Sequence, residues 1–214
     1  MSWRPIALLG GTFDPVHIGH LRAAWEAAEA LDADVHLMPA NVPPHRAQPV
    51  ATAAQRVAIL RAALQGQGRL VIDERELHRT GPSYTIDTLR QLRAEVGQER
   101  PLVLLVGTDA FAGFPSWHEW RSLFHFAHIV VMTRPGHRNE WPAELNAEWQ
   151  ARRSETPGDL RTSPAGRIYA LAITALEISA TAVRAELAAG HEPRFLLPEN
   201  VLADPALLAP YRAK

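Results

Sequence analysis

The chain has no cysteine, which excludes disulfides, thiolate zinc sites and a cysteine nucleophile. It has no apolar run approaching the ~20 residues that a membrane-spanning helix needs. Its first stretch, MSWRPIALLGG, carries no small-residue cleavage site of the kind that closes a signal peptide. Neither sign of charge dominates, because 22 Lys and Arg stand against 23 Asp and Glu for a formal net charge of −1. Such a surface is not built to coat nucleic acid or an anionic membrane, and no stripe of alternating aromatic and basic residues suggests a single-strand binder. Nucleic acid and membrane are therefore not expected partners. What is present is 214 residues, 47% of them hydrophobic, the composition of a soluble globular protein. One domain over residues 1–214, working in the cytoplasm, is the expectation.

Short apolar runs alternate with helical patterns. Strands are expected at Ile6–Leu9, Val35–Met38, Leu70–Ile72, Leu102–Val106, Ile129–Met132 and Ile168–Ile173. Helices are expected at His20–Leu31, at Ala53–Leu64 with Thr52 as N-cap, at Tyr84–Val96 capped near Ser83, at Trp117–Phe126 and at Thr181–Ala189. Strict alternation argues an α/β fold, a Rossmann-like open parallel sheet with helices on both faces. Leu102–Val106, the most apolar run, reads as its central strand. Residues 136–166 break the rhythm with Gly, Pro, Asn, Glu and Arg, and read as a surface insertion, part helix, anchored by Trp141 and Trp149. The segment beyond Ala189 reads as a small helical C-terminal subregion.

The chemistry concentrates in Gly10-Gly11-Thr12-Phe13-Asp14-Pro15-Val16-His17-Ile18-Gly19-His20, between the first strand and the first helix. Ligands of open α/β sheets bind beyond the carboxyl ends of the strands, where the topology switches. Two glycines admit close backbone approach, the helix start offers free N–H groups to an anion, and His17 and His20 share a face. Gly19 reads as a position kept bare so that a phosphate can approach. A Gly-Gly pair alone is more often a plain turn, and two histidines alone are more often surface residues; their conjunction between strand and helix favours a nucleotide-phosphate site. The pattern is neither a P-loop nor a dinucleotide fingerprint. Asp14, before Pro15, reads as a loop former first and a metal ligand second.

These residues resemble the signature of the nucleotidyltransferases with a His-x-Gly-His motif and, within them, the bacterial nicotinate-nucleotide adenylyltransferase family. A second family motif stands at Ile178-Ser179-Ala180-Thr181-Ala182-Val183-Arg184, again at an expected helix start. Pro43-Pro44-His45-Arg46, Ser83-Tyr84-Thr85 with Asp87-Thr88-Leu89, and Gly107, Asp109 and Trp117 complete a resemblance that covers nearly the whole chain outside 136–166. Two departures stand out. Ala180 occupies a position that is commonly Ser, removing one hydroxyl, and Arg46 stands where Lys is common, although either cation can hold a phosphate.

The resemblance implies transfer of adenylate from ATP to the 5′-phosphate of nicotinate mononucleotide, giving deamido-NAD and pyrophosphate, with Mg²⁺ carried mainly by the ATP phosphates. The catalytic candidates are His17, His20 and Arg184. ATP is assigned to Gly10, Gly11, Thr12, Phe13, His45, Arg46, Gly107, Asp109, Ser179 and Thr181. An Arg184 salt bridge to Glu177 or Glu186 is the plainer alternative for that residue, and a helix N-cap is the alternative for Asp109. Tyr84, Thr85 and Trp117 are assigned to nicotinate mononucleotide, its carboxylate against helix N–H groups and its ring on the indole. Trp120 is given to the core. Competing readings are a sister adenylyltransferase for nicotinamide mononucleotide or phosphopantetheine, disfavoured by His17 and Ser83-Tyr84-Thr85, and a nucleotide sensor without catalysis, for which Ala180 is the one hint.

Overall fold

The computed structural model describes residues 4–41, 48–81, 83–133 and 141–213. In chain order its main elements are β1 (Ile6–Gly11), α1 (Ile18–Ala30), β2 (Asp34–Pro39), α2 (Ala53–Ala63), β3 (Leu70–Ile72), α3 (Thr85–Val96), β4 (Leu102–Gly107), α4 (Thr108–Ala112), α5 (Leu123–Phe126), β5 (His128–Thr133), α6 (Ala143–Arg152), β6 (Arg153–Ser154), β7 (Ile168–Ala172), α7 (Ala180–Ala188) and α8 (Glu199–Leu202). The strands form one seven-stranded sheet in the order β3-β2-β1-β4-β5-β7-β6, and each pairing is parallel. The chain winds outward from β1 in one direction and from β4 in the other. The two central strands run side by side, Leu9 level with Leu105, and the topology reverses between their carboxyl ends.

The two faces of the sheet carry separate cores. On one, Ala7, Leu9, Val35, Leu37 and Val103 meet α1, α2 and the C-terminal segments. Ala23, Ala24, Ala27 and Ala28 form the buried stripe of α1, and these small side chains let the helix lie close to the strands. On the other face Leu8, Leu104, Val106, Ile129 and Val131 meet α3, α5, Phe111, Phe114 and Trp120. Helix α2 opens with the N-cap foreseen at Thr52, and the structure adds a reciprocal bond: the Thr52 hydroxyl accepts from Gln55 N–H at 3.3 Å, and Gln55 Oε1 accepts from Thr52 N–H at 2.9 Å.

Three expectations change. Trp117–Phe126 is not one helix: Trp117 is extended after a 3₁₀ turn at Phe114–Ser116, Glu119 takes a left-handed φ of 49°, and helix resumes only at a 3₁₀ turn over Trp120–Ser122 and in α5. Helix α4, missed in the sequence, follows β4 directly. Helix α3 is capped by Tyr84 rather than Ser83, with no side-chain hydrogen bond at the cap. Between residues 141 and 166, α6 buries Leu145 fully, Trp141 and Trp149 pack against Phe111, and β6 forms the sheet edge beside β7. The rest of that segment, 136–140, lies outside the described residues, as do His45 and Arg46.

Candidate active site

The crevice between β1 and β4 is floored by backbone. Gly10 and Gly107, at the ends of the two strands, are exposed, and a Cβ built on either meets no atom within 4 Å. Gly11 is bare for another reason, since a Cβ there would lie 2.9 Å from the Phe13 ring. Phe13 is buried at a left-handed φ of 49°, so the turn after β1 needs glycine at 11 to fold that ring inward.

His17 is the N-cap of α1 and His20 lies in its first turn. Their rings stack, centroids 3.7 Å apart and 27° from parallel, and Phe13 meets His20 edge-on at 5.1 Å. The N–H of His17 donates to His20 Nδ1 at 3.4 Å, which assigns the His20 proton to Nε2. His17 is 5% exposed and its Nδ1 has no hydrogen-bond partner among the described residues. Burial pushes its pKa down to about 4, so the free site holds a neutral imidazole. Gly19 is explained by this pair rather than by phosphate access: a Cβ there would stand 3.1 Å from the His17 ring.

The second motif arrives beside the first. The same Cβ on Gly19 would lie 3.6 Å from Ile178 Cβ, so the start of α7 abuts the start of α1. Ser179 caps α7, its Oγ accepting from Ala182 N–H at 3.1 Å. Arg184 does not pair with Glu177 or Glu186; Glu186 is taken by His191. Its Nη1 donates to the Asp14 carbonyl at 2.7 Å and its Nη2 to Thr181 Oγ1 at 3.2 Å. The guanidinium is thus held against the signature loop and remains partly exposed.

Asp14 is a loop former, as its place before Pro15 suggested. Its carboxylate accepts from Val50 N–H at 2.8 Å, Ala51 N–H at 3.0 Å and Tyr211 O–H at 2.8 Å, which engages both oxygens. Among the described residues no group of three or more His, Asp or Glu is placed to hold a metal ion. On the other side of the crevice Gly107, not Asp109, is the N-cap of α4; Asp109 sits in the first turn with an exposed carboxylate.

Tyr84 and Thr85 begin α3. The Tyr84 ring lies 4.6 Å from that of His118, whose chain neighbour Trp117 packs on Phe114 at 4.7 Å and stays half-buried. The three residues assigned to the acceptor are therefore neighbours at one end of the second core. Sequence reasoning missed Arg56, 1% exposed, whose Nη1 donates to the Thr12 carbonyl at 2.6 Å. The signal was available, since Arg56 lies on the same stripe of α2 as Ile59, Leu60 and Ala63, where a charge needs a partner. Tyr211 gave no comparable signal.

The cytidylyltransferase-like family model matches residues 8–186. A Halorhodospira halophila protein named "Probable nicotinate-nucleotide adenylyltransferase" is 50% identical over 199 residues, covering 92% of this chain and 91% of that one. A Pseudomonas syringae protein of the same name is 47% identical over 211 residues, covering 98% and 95%. Among solved structures, Plasmodium falciparum nicotinic acid mononucleotide adenylyltransferase complexed with NaAD shares the fold, with a TM-score of 0.71 at 13% identity over 97% of this chain and 96% of that one.

Proposed function

The chain belongs to the cytidylyltransferase-like family, in the branch of the nicotinate-nucleotide adenylyltransferases, and from that premise we propose that its crevice transfers adenylate from ATP to nicotinate mononucleotide, yielding deamido-NAD and pyrophosphate. The observation that carries this reading is the meeting of two helix starts, α1 with the stacked His17 and His20 and α7 with Arg184, on one loop at the switch point of the sheet.

The nucleophile is a phosphate oxygen of the acceptor, already ionised at neutral pH. No protein base and no covalent intermediate are needed, so catalysis is positioning plus stabilisation of charge on the α-phosphate and the departing pyrophosphate. His20 donates from Nε2 to the reacting phosphates. His17 enters neutral, and phosphate oxygens beside it favour its charged form, adding a cation where negative charge accumulates. Arg184 offers a fork that matches the β and γ oxygens, with Ser179, Thr181 and the N–H groups opening α7 beside it. Ala180 removes one hydroxyl from that cradle and leaves its backbone donor. Gly10, Gly11, Thr12 and Phe13 admit the adenosine against backbone, with Asp109 accepting from ribose hydroxyls across the crevice at Gly107. His45 and Arg46 add basic groups from the 43–46 segment. Both Asp14 oxygens are engaged by protein donors, so Mg²⁺ fits this site as a companion of the ATP phosphates, where it supplies further charge neutralisation.

On the acceptor side, α3 starts with no side-chain cap, and N–H groups at Tyr84 and Thr85 suit the carboxylate of nicotinate, with the pyridine ring on Trp117. The test is pyrophosphate release from ATP with nicotinate mononucleotide, nicotinamide mononucleotide or phosphopantetheine as acceptor. Nicotinate mononucleotide is expected to give the highest kcat/KM, and a clear preference for another acceptor would overturn the substrate assignment.

A further inference from the structure

Tyr211 lies far beyond both motifs, yet it is 4% exposed and its hydroxyl reaches the Asp14 carboxylate at 2.8 Å. That carboxylate also holds the N–H groups of Val50 and Ala51, which follow closely after the basic 43–46 segment. The carbonyl of the same residue holds Arg184. One side chain and its backbone thus join the loop after β1, the chain at Val50 and Ala51, and α7. Arg56 adds a strut from α2 to the neighbouring Thr12 carbonyl. Burial and the hydrogen bond to Asp14 keep the Tyr211 hydroxyl protonated well above its ordinary range, so it stays a donor.

We propose that Tyr211 is a positioning residue for ATP, acting through Asp14 to fix Arg184, which the Asp14 carbonyl holds, at the polyphosphate. This rests on the adenylyltransferase reading for its ligand, and it assigns to the C-terminal 3₁₀ segment Pro205–Tyr211 a part in nucleotide binding. Tyr211 does not touch substrate. Its hydroxyl supplies the only side-chain hydrogen bond to the Asp14 carboxylate among the described residues. Without it the carboxylate is short of one partner, and the loop that carries the Arg184 acceptor loses a fixed point.

Tyr211→Phe keeps the ring in the core and removes only the hydroxyl. Calorimetric titration of full-length protein with ATP and Mg²⁺ should show affinity weakened about 3- to 10-fold, the worth of one buried hydrogen bond, with nicotinate mononucleotide affinity unchanged and most of the thermal stability retained. Steady-state kinetics should show the same split, a raised KM for ATP against an unaltered KM for the acceptor. In an Asp14→Asn background the further change Tyr211→Phe should alter ATP affinity by less than it does in the parent. Unchanged ATP affinity in Tyr211→Phe would overturn the proposal, as would equal weakening of both ligands, which marks a general loss of fold. If Asp14→Asn does not fold, the two titrations of Tyr211→Phe decide alone. A protein that rejects nicotinate mononucleotide but binds ATP would overturn the acceptor assignment, and the ATP titration would still judge Tyr211.

Discussion

The stacked pair His17 and His20 shows how a short motif fixes geometry through several residues at once. Gly19 leaves room for the His17 ring, Gly11 leaves room for Phe13, and Phe13 in turn walls His20. Each position looks like an independent letter in the sequence, and each is bound to another by a contact of a few ångströms. If His20 donates to the reacting phosphates as proposed, His20→Ala removes that donor and little of the core, so kcat should fall by about 10²- to 10³-fold, roughly 3–4 kcal/mol of barrier, with an unchanged circular dichroism spectrum. A near-normal kcat would take His20 off the reaction path. The acceptor end gives a second expectation. If N–H groups at Tyr84 and Thr85 hold the carboxylate of nicotinate, the amide brings a donor to face donors, and an unpaired buried group costs about 1–3 kcal/mol. The acid should then be preferred by ~10- to 100-fold in kcat/KM. Trp117→Ala should weaken both acceptors alike, because a stacking surface does not sense the carboxylate. Kinetics with both mononucleotides on parent and variant check this, and equal efficiency on acid and amide would refute the pocket chemistry.

Elements are held in place here by buried arginines reaching backbone oxygens. Arg93, 4% exposed near the end of α3, donates to the carbonyls of Gly97 at 3.1 Å, Arg100 at 2.6 Å, Phe126 at 2.7 Å and Pro164 at 3.0 Å. It joins the turn out of α3, the approach to β4, the end of α5 and the loop before β7. Arg93→Met fills much of the space but leaves these oxygens short of a donor, and should lower unfolding free energy by about 2–4 kcal/mol, measured by urea denaturation, with substrate KM values retained in the folded fraction. In the sequence Arg93 shares a helix stripe with Ile86 and Leu89, as Arg56 does on α2, but nothing local names the four carbonyls it reaches. That contrast marks what the sequence makes legible. Strands such as Leu102–Val106 were readable because apolar runs report local burial, and the α2 start because Thr52 carries its own capping chemistry. The helix expected at Trp117–Phe126 was misread because Trp117, Trp120 and Phe124 repeat at helical spacing while the left-handed Glu119 breaks the backbone into short turns, and α4 was too short to show a period. The two motifs were legible as helix starts following strands, starts that the structure sets side by side. Their attachment through Asp14 to residue 211 was not, because contacts across nearly two hundred residues leave no periodic trace.

For the whole molecule, the buried histidines set a direction for stability against pH. His17 is the N-cap of α1. His128, fully buried at the start of β5, accepts from Arg167 N–H at Nδ1 over 3.0 Å and donates from Nε2 to the Ser163 carbonyl over 2.8 Å. Burial lowers both to a pKa of about 4 from an ordinary 6.5. In the unfolded chain each takes up its proton near pH 6.5, whereas the folded chain resists until about pH 4. Between those values the unfolded state binds more protons, so stability is fully present above pH 6.5 and falls as the pH drops through the window. The shifts correspond to at most about 3 kcal/mol for each histidine, a large share of the roughly 5–15 kcal/mol typical of a domain. Glu76 opposes them in part, because burial raises its pKa and its contribution is lost as the pH rises above the ordinary carboxylate range. Asp73, lowered by His36 and Arg75 against the cost of burial, adds to the loss only at still more acid pH. The unfolding midpoint followed by calorimetry should therefore be level above pH 7 and decline steadily from pH 6.5 to pH 4.5. His128→Gln can keep both backbone hydrogen bonds without a titrating ring, and should roughly halve that slope. Saturating ATP should flatten it further, because phosphates beside His17 favour the imidazolium in the folded state. A midpoint that stays level from pH 7 to pH 4.5 in the free protein would mean that neither ring is held neutral by the fold.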